Sequence, residues 1–275
     1  MTALFQLPAQ TITDYARDGA VVLRGVLTPA EVRQLTEGIE HNLAHPSPLC
    51  LVASQPDDPG RFVEDFCTWQ DNPAYRAVML NSALPRVSAG LMQSDTVRLY
   101  HDHLLVKEPG TRQPTPWHQD QPYYNVAGRQ NVSFWIPVDP VPLASTLRFV
   151  AGSHAGTWYM PRTFRDNQAK WFPDGTLAEL PQIDAHPEQF KQLAWALEPG
   201  DTVAFHMLTL HASSGVGPAL RRRVFSARYL GDDARHAVRP WRTSPPFTGL
   251  ASRLAEGALM DDPLFPIVWS NDGHV

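Results

Sequence analysis

Two side chains that can bind a metal ion, His118 and Asp120, lie two residues apart in the segment PWHQD (116–120). In a β-strand, residues i and i+2 point to the same side, so this spacing directs an imidazole and a carboxylate into one space. Such a pair suits a divalent metal ion, but it is also found in ordinary surface turns. A metal site needs at least one further ligand from another part of the chain.

The segment EPGDTVAFHMLTLHASSG (198–215) offers two candidates for that ligand, His206 and His211. Its pattern indicates a turn, a strand and a second turn. His211 falls at the end of the strand, where a ligand can reach a shared site. His206 lies among apolar residues and is interpreted as a packed or supporting histidine. The predicted metal ligands are therefore His118, Asp120 and His211.

Two histidines and one carboxylate on a β scaffold form the facial triad that is typical of non-heme Fe(II) oxygenases. This triad leaves three positions on the metal open. A 2-oxo acid can take two of them and O₂ the third. A structural zinc ion is more often enclosed by four protein ligands, commonly cysteines, and the two cysteines here, Cys50 and Cys67, have no such spacing.

A 2-oxo acid with a second carboxylate also needs a cation at a fixed place, and PALRRRVFSARY (218–229) supplies arginines. Arg222 alternates with Ser226 and Arg228, so it is expected to face inward, where a guanidinium can hold a carboxylate through two hydrogen bonds. Arg221 and Arg223 are expected to face solvent. An exposed basic strand edge is the alternative, and the spacing alone leaves open which of the three arginines is the anchor.

The elements that must position these residues change character along the chain. Residues 1–95 are mostly helical by pattern, with helices expected in TITDYARDG (11–19, capped by Thr11 or Thr13), in 28–46 and within 62–93, and a strand at 20–27. From residue 96 to 235 the pattern is of short strands separated by turns, which favours a β-sandwich or barrel. Residues 155–190 interrupt it as an excursion, and 236–275 read as a tail that wraps the barrel.

Bulk properties exclude some classes of function. The chain has 275 residues, which fits one domain spanning 1–275, and its formal net charge of −5 argues against nucleic acid as a partner. The sequence has no apolar run long enough to span a membrane and no secretory signal pattern at its start. Two cysteines do not make a disulfide framework, so a reducing, cytoplasmic setting is expected. No feature predicts an oligomeric state.

Several segments, taken in order, resemble the phytanoyl-CoA dioxygenase family of Fe(II)/2-oxoglutarate oxygenases. They are YARDGAVVLRGVLTPAEV, LLVKEPG, PWHQDQPYY, FVAGSH, EPGDTVAFHMLTLHASSG and RRRVFSARYL. The resemblance implies a mainly β fold, a double-stranded β-helix (a jelly-roll of the cupin type), with N-terminal helices packed on the barrel. It further implies Fe(II) as the cofactor, and 2-oxoglutarate and O₂ as co-substrates.

By the same resemblance, His118, Asp120 and His211 bind the iron and Arg222 holds the distal carboxylate of 2-oxoglutarate. The further contacts to 2-oxoglutarate that it implies are Ser213, His101, Leu105 and Trp135. Ectoine hydroxylase-like members have amides where this chain has His101 and Leu105, and Trp135 fits core packing equally well. Residues expected to meet the substrate are His103, Tyr123, Tyr124, Trp158 and Arg162.

The implied reaction is the hydroxylation of an unactivated C–H bond of a small or medium organic molecule, with formation of succinate and CO₂. Asp120 is present, which favours hydroxylation or another oxidation over halogenation, since related halogenases lack this carboxylate. Two alternatives remain: a non-catalytic metal- or ligand-binding jelly-roll, and a metal-dependent hydrolase or isomerase on a cupin-like barrel. The substrate class stays open among terpenoids, polyketides, amino-acid derivatives, cationic amines and acyl-CoAs.

Overall fold

Helices dominate the first third of the chain. The computed structural model describes residues 5–167 and 176–273. Its helices are α1 (Ala9–Asp18), α2 (Pro29–Ala44), α3 (Pro73–Asn81), α4 (Leu84–Met92) and the short α5 (Leu250–Arg253). As expected, α1 ends at Gly19, which adopts the left-handed conformation (φ 77°). Its start was predicted wrongly: α1 begins after Pro8, with no side-chain cap, so Thr11 and Thr13 lie inside it.

The start of α2 follows its sequence signature. Thr28 accepts from the backbone N–H of Glu31, and Glu31 accepts from the backbone N–H of Thr28, which completes a capping box. Leu35 and Ile39 on its apolar face are fully buried in the core beneath the main sheet. The apolar face of α2 therefore packs against the core.

The described residues form fourteen strands, most of them short and separated by turns. They are β1 (Ala20–Leu23), β2 (Leu51–Val52), β3 (Phe62–Phe66), β4 (Thr96–Lys107), β5 (Thr115–His118), β6 (Val126–Ala127), β7 (Asn131–Pro137), β8 (Leu147–Val150), β9 (Gln192–Ala194), β10 (Thr202–Phe205), β11 (His211–Ser213), β12 (Arg222–Leu230), β13 (Arg235–His236) and β14 (Ile267–Ser270). Residues 62–66 were expected to belong to a partly helical stretch. They form β3 instead, because they pair along the edge of the long strand β4.

The described strands form a large and a small antiparallel sheet with a two-stranded ribbon. The large sheet runs β1-β10-β7-β12-β4-β3-β2, with β14 also paired to β4. The smaller sheet runs β5-β11-β8-β9, and β13 pairs β6. The architecture is therefore mainly antiparallel β, and these sheets do not join into one closed barrel.

Alternation along the central strand β12 assigns the two faces of the large sheet. Phe225, Ala227 and Tyr229 pack with α2, α3 and α4 in the largest apolar cluster. The residues between them point the other way, toward the small sheet, and Val224 packs there with Trp135. The space between the two sheets is thus lined by alternate residues of β12 and its neighbours.

The excursion and the tail complete the fold. Described residues 155–167 and 176–190 consist of turns and short 3₁₀ segments, and residues 168–175 of the expected excursion lie outside the described part. The tail returns to the large sheet, where β14 pairs β4. In the described ranges, every helix is too short or too polar to cross a bilayer.

Candidate metal centre

A cavity of about 490 Å³ lies between the two sheets. Its walls come from inward-facing strand residues, and three other segments also border it: 48–53 before β3, 163–166 in the excursion and 242–246 in the tail. The residues that matter for the site are His118, Asp120, His211, Arg222, Ser213, Trp135, Leu105, Arg228, Ser226, His103, Glu64, Tyr123, Tyr124 and Phe164.

The two histidines of the predicted triad face each other across the small sheet. His118 ends β5 and His211 begins β11, and the two are direct partners in the antiparallel register. Asp120 follows β5 after one residue, and its Oδ1 lies 3.6 Å from His118 Nε2 and 3.7 Å from His211 Nε2. All three side chains are buried, and one ligand atom of each lies within 4.8 Å of the others.

Backbone carbonyls orient both imidazoles. His118 Nδ1 donates to Pro116 O at 2.8 Å, and His211 Nδ1 donates to Thr209 O at 2.9 Å. A carbonyl can only accept, so the proton sits on Nδ1 and the lone pair of Nε2 faces the site. Burial lowers the pKa of His211 to about 3, and the neighbouring His118 adds to this, so His211 is a neutral ligand near pH 7.

The carboxylate of Asp120 is held from one side. Its Oδ2 accepts from Ser133 Oγ at 3.1 Å and from Arg228 Nε and Nη2 at 3.3 and 3.2 Å. Oδ1 remains on the side of the histidines. Burial alone would raise the pKa of Asp120, but Arg228 and the two histidines hold it well below its usual range. Asp120 is therefore ionised with one oxygen directed at the site.

Arg228 was not identified as a site residue from the sequence, although its inward alternation with Arg222 was seen. Its partner lies 108 residues earlier, and no local pattern connects the two. Asp232 and Asp233 on the segment after β12 accept from backbone N–H groups of residues 95, 96, 129 and 130 and from nearby hydroxyls.

The donor set fits a divalent metal ion with open positions. Two imidazoles and one carboxylate are the ligands of the iron facial triad. Within residues 5–167 and 176–273 this is the only cluster of three or more histidine, cysteine or acidic side chains close enough to share an ion. Three protein ligands leave room for small molecules, whereas a structural zinc site is usually closed by four.

Of the three consecutive arginines, Arg222 is the one that lines the cavity. It is buried, its Nη2 donates to Ser213 Oγ at 3.2 Å, and its Nη1 donates to Ser145 O. Its guanidinium carbon lies 5.5 Å from the centre of the Trp135 ring. Burial without an acidic partner lowers the pKa of Arg222 to about 10. The structure thus brings Arg222, Ser213 and Trp135 together.

The other two arginines are neutralised outside the cavity. Arg221 pairs with Glu108 and Glu40, and Arg223 pairs with Asp139 and Glu40. Of the three arginines, Arg222 is thus the one that lines the cavity, and Arg221 and Arg223 are paired with carboxylates outside it.

The two residues of β4 that are expected to contact 2-oxoglutarate, His101 and Leu105, differ in their relation to the cavity. Leu105 lines the cavity, but His101 does not. His101 is buried behind Tyr124, with ring centres 5.1 Å apart, and its Nδ1 donates to Asp102 O at 3.0 Å. It shares the inward face of β4, but the aromatic ring of Tyr124 packs against it. His101 is therefore corrected to a buried supporting residue.

Lys107 on the same face is also enclosed. It is fully buried, and its Nζ donates to Gln113 O at 2.7 Å and to Ser214 O at 2.9 Å. Burial, together with the charge of nearby Arg222, lowers its pKa well below the usual range. Lys107 thus supports the loop that follows Ser213.

Aromatic and polar side chains line the rest of the cavity. His103, Tyr123 and Tyr124, which the sequence predicts to meet the substrate, are among the lining residues. His103 Nε2 lies 3.1 Å from Oε1 of Glu64. The ring of His103 stacks on Phe66 at 4.0 Å. The sequence pattern does not predict Glu64 and Phe66 as site residues, because residues 62–93 have a partly helical pattern. Their i, i+2 spacing is the signal that places both on one face of a strand.

Trp158 and Arg162, the expected substrate contacts in the excursion, do not line the cavity. Arg162 pairs with Glu179 at 2.7 Å, and the ring of Trp158 lies under Arg239 at 4.9 Å. Phe164 reaches the cavity in their place, with its ring 4.8 Å from that of His118. The excursion does contribute to the wall, but through other residues.

Three polar side chains near the triad support the structure around it. Gln119 points away and holds the excursion, donating to Thr157 O at 3.0 Å and accepting from the N–H of Tyr159 at 2.9 Å. His206 lies outside the cluster and bonds to Arg129 O at 3.0 Å. His154 bonds to Ala16 O at 3.2 Å. The placement of His206 agrees with the supporting role expected of it.

Comparison with known families defines the class. The family model described as phytanoyl-CoA dioxygenase (PhyH) matches residues 15–224. The chain belongs to the phytanoyl-CoA dioxygenase family, and it is an enzyme of the iron- and 2-oxoglutarate-dependent class. Comparison with curated proteins gives no significant match.

Solved structures share the fold at low sequence identity. The carbocyclase SnoK from nogalamycin biosynthesis, described as non-heme and alpha-ketoglutarate-dependent, has a TM-score of 0.74 and 22% identity over 96% of this chain and 97% of its own. The epimerase SnoN, in complex with Fe³⁺, alpha-ketoglutarate and nogalamycin RO, gives 0.71 and 20% over 94% and 98%. EctD from S. alaskensis, with 2-oxoglutarate and 5-hydroxyectoine, gives 0.65 and 18% over 92% and 85%.

Proposed function

We propose that this protein is a non-heme Fe(II)- and 2-oxoglutarate-dependent dioxygenase that oxidises a C–H bond of a small or medium organic molecule. His118, Asp120 and His211 would bind the iron. The observation that carries the proposal is the buried triad with Arg222 lining the same cavity. When bound, ferrous iron with 2-oxoglutarate and O₂ supplies the oxidising power for hydroxylation, with release of succinate and CO₂.

The side chains of the protein have the task of positioning. Arg222 and Ser213 are suited to hold the distal carboxylate of 2-oxoglutarate, since a guanidinium binds a carboxylate through paired hydrogen bonds. Trp135 and Leu105 would pack on its carbon chain. The aromatic rings of Tyr123, Tyr124 and Phe164 exclude water from the reacting end of the cavity.

The fold supports this assignment. We propose that the two main sheets form a double-stranded β-helix and that residues 1–275 make one domain. The structural relatives whose titles mention 5-hydroxyectoine and nogalamycin RO support a small-molecule substrate here as well. Cys50 and Cys67 are both free thiols, which supports a reducing, cytoplasmic setting as part of the proposal.

The test is the consumption of 2-oxoglutarate. Purified protein with Fe(II) should bind 2-oxoglutarate in anaerobic calorimetry and release succinate slowly in air without added substrate. Incubation with a metabolite extract should then reveal products heavier by one oxygen atom. His118→Ala should abolish metal binding and succinate release, while His206→Ala, which removes a histidine outside the cluster, should keep both. Turnover that continues without O₂ would instead favour a metal-dependent hydrolase or isomerase.

A further inference from the structure

Two inward-facing residues of β12, Ser226 and Arg228, line the cavity and each keeps a polar atom unused. Ser226 Oγ and Arg228 Nη1 are buried and have no hydrogen-bond partner in the part of the chain that the structure describes. Buried polar atoms are nearly always hydrogen-bonded in folded proteins. Two unsatisfied atoms on neighbouring inward positions of one strand therefore indicate a place for a ligand.

The position of these atoms points to the substrate rather than to 2-oxoglutarate. Arg222, the proposed anchor for 2-oxoglutarate, lies at the other end of β12, with Val224 in between. Ser226 is the direct partner of His103 on β4 and of Trp135 on β7. Arg228 is the partner of Ser133 on β7, which holds the same Asp120 oxygen. The pair thus lies beside the metal ligands.

The guanidinium of Arg228 binds Asp120 through two of its nitrogen atoms and leaves the third for a ligand. Its Nε and Nη2 are committed to Asp120 Oδ2, which leaves Nη1 as the free donor. The ring of Tyr124 lies 5.7 Å from its central carbon. The Ser226 hydroxyl can either donate or accept. Together they suit a carbonyl or hydroxyl oxygen that can take a hydrogen bond from each.

The ion pair beside the two unsatisfied atoms favours an uncharged ligand. The guanidinium of Arg228 is already matched by the carboxylate of Asp120, 3.2 Å away. An anionic group would add a second negative charge next to Asp120, and a cationic group would lie against the guanidinium. In this buried space an uncharged oxygen avoids both costs.

We infer that Ser226 Oγ and Arg228 Nη1 form a subsite that binds a carbonyl or hydroxyl oxygen of an uncharged substrate whose apolar ring or chain packs on Phe66, Tyr124 and Phe164. This inference rests on the proposed function, because it places the substrate beside the proposed iron ligands. The subsite is expected to favour uncharged molecules with an accepting oxygen over cationic amines and over carboxylic acids. A substrate oxygen on Nη1 would also contact the guanidinium that fixes Asp120.

The subsite can be tested with probes that share a phenyl body and differ in the polar group. Acetophenone, ethylbenzene, benzoate and benzylammonium are compared by ligand-observed NMR with protein loaded with Zn²⁺ and 2-oxoglutarate, which cannot turn over. Acetophenone should bind about tenfold more tightly than ethylbenzene, as expected for hydrogen bonds to a charged donor, and more tightly than either ion. Equal or weaker binding of acetophenone, or no binding by it, overturns the inference.

A pair of serine variants separates the subsite from general effects on the cavity. Ser226→Ala should lower the preference for acetophenone over ethylbenzene, because one of the two hydrogen bonds to the carbonyl oxygen is lost. Ser244→Ala, the same change at a cavity-lining serine of the tail, should preserve the wild-type preference. A preference that is undiminished in Ser226→Ala contradicts the inference.

The binding of 2-oxoglutarate, measured by calorimetry on the same preparations, distinguishes the two proposals. If 2-oxoglutarate binds but acetophenone shows no preference, the subsite is wrong and the proposed function stands. If the preference is present in metal-loaded protein that does not bind 2-oxoglutarate, the proposed function is wrong and the cavity binds oxygenated ligands for another purpose.

Discussion

Arg222 and Arg228 lie on the same face of β12 and are both buried, yet they differ in whether a carboxylate lies beside the guanidinium. Arg228 has a carboxylate partner, Asp120, within 3.2 Å. Burial alone would lower the pKa of Arg228, but Tyr124 and Asp120 raise it above its usual value. Arg222 meets only a hydroxyl and a carbonyl, and burial lowers its pKa to about 10.

The two arginines therefore differ in what balances their charge. A buried cation is costly unless an anion compensates it. At Arg228 the compensating anion belongs to the protein and is one of the proposed metal ligands. At Arg222 no acidic side chain of the described residues compensates the charge, so an anionic ligand such as 2-oxoglutarate would be electrostatically favoured there. The charge at the Arg228 end of the cavity is therefore balanced within the protein, and the charge at the Arg222 end is left for a ligand to balance.

The largest expected effect comes from removing the partner of Arg228. Asp120→Ala leaves a buried guanidinium uncompensated, so the metal-free protein should lose about 3–5 kcal/mol of unfolding free energy in urea. The control is Asp139→Ala, which breaks the more exposed pair with Arg223 and should cost only about 1 kcal/mol. Equal losses in the two variants would mean that Asp120 does not compensate Arg228.

Replacing the other arginine should act on binding instead. Arg222→Met removes the cation available to 2-oxoglutarate, and its Kd should rise about 10- to 150-fold in anaerobic calorimetry. The stability of the metal-free protein should change by less than about 1 kcal/mol, because an uncompensated buried charge is lost. Arg221→Met serves as control and should keep the wild-type Kd. A large loss of stability in Arg222→Met would mean that the charge of Arg222, like that of Arg228, stabilises the fold.

A smaller effect is expected at Ser133, which shares Asp120 Oδ2 with Arg228. Ser133→Ala removes one of the groups that turn Oδ1 toward the histidines. Metal affinity, measured by competition with a chelator, should fall about tenfold, as is usual for partners of metal ligands. Ser244→Ala should leave it unchanged. An unaltered affinity in Ser133→Ala would mean that Arg228 alone orients the carboxylate.

The smallest effect is expected in the excursion. Arg162→Met removes a guanidinium that pairs with the exposed Glu179 outside the cavity. It should change the stability by no more than about 0.5 kcal/mol and leave the Kd of 2-oxoglutarate unchanged. A marked rise in that Kd would show that Arg162 affects the 2-oxoglutarate site despite lying outside the cavity.

The sequence predicts the residues that are marked by local pattern. Alternation and turn residues were enough to locate β4, β7 and β12 and the inward face of Arg222. The spacing of His118 and Asp120, with His211 at a strand end, was enough to find the cluster that the structure brings together. The capping box at Thr28 gave the start of α2 to the residue.

What the sequence does not predict depends on contacts between distant segments. The pairing of Arg228 with Asp120 spans 108 residues, and Glu64 reaches His103 only because β3 pairs β4. His101 has the same inward position as Leu105 but lies behind Tyr124, whose place is set by the 3₁₀ turn after Asp120. Alternation gives the face of a strand and says nothing about which neighbour covers it.

The direct pairing of His118 with His211 across β5 and β11 has a consequence for how the chain folds. Side chains alternate along a strand, so a shift of this pairing by one residue would turn one imidazole out of the cavity. A chain with that error could not assemble the three ligands. Metal binding would therefore stabilise the native strand register over registers shifted by one residue. The ion would then contribute to the correct pairing of β5 with β11 as well as to the reaction.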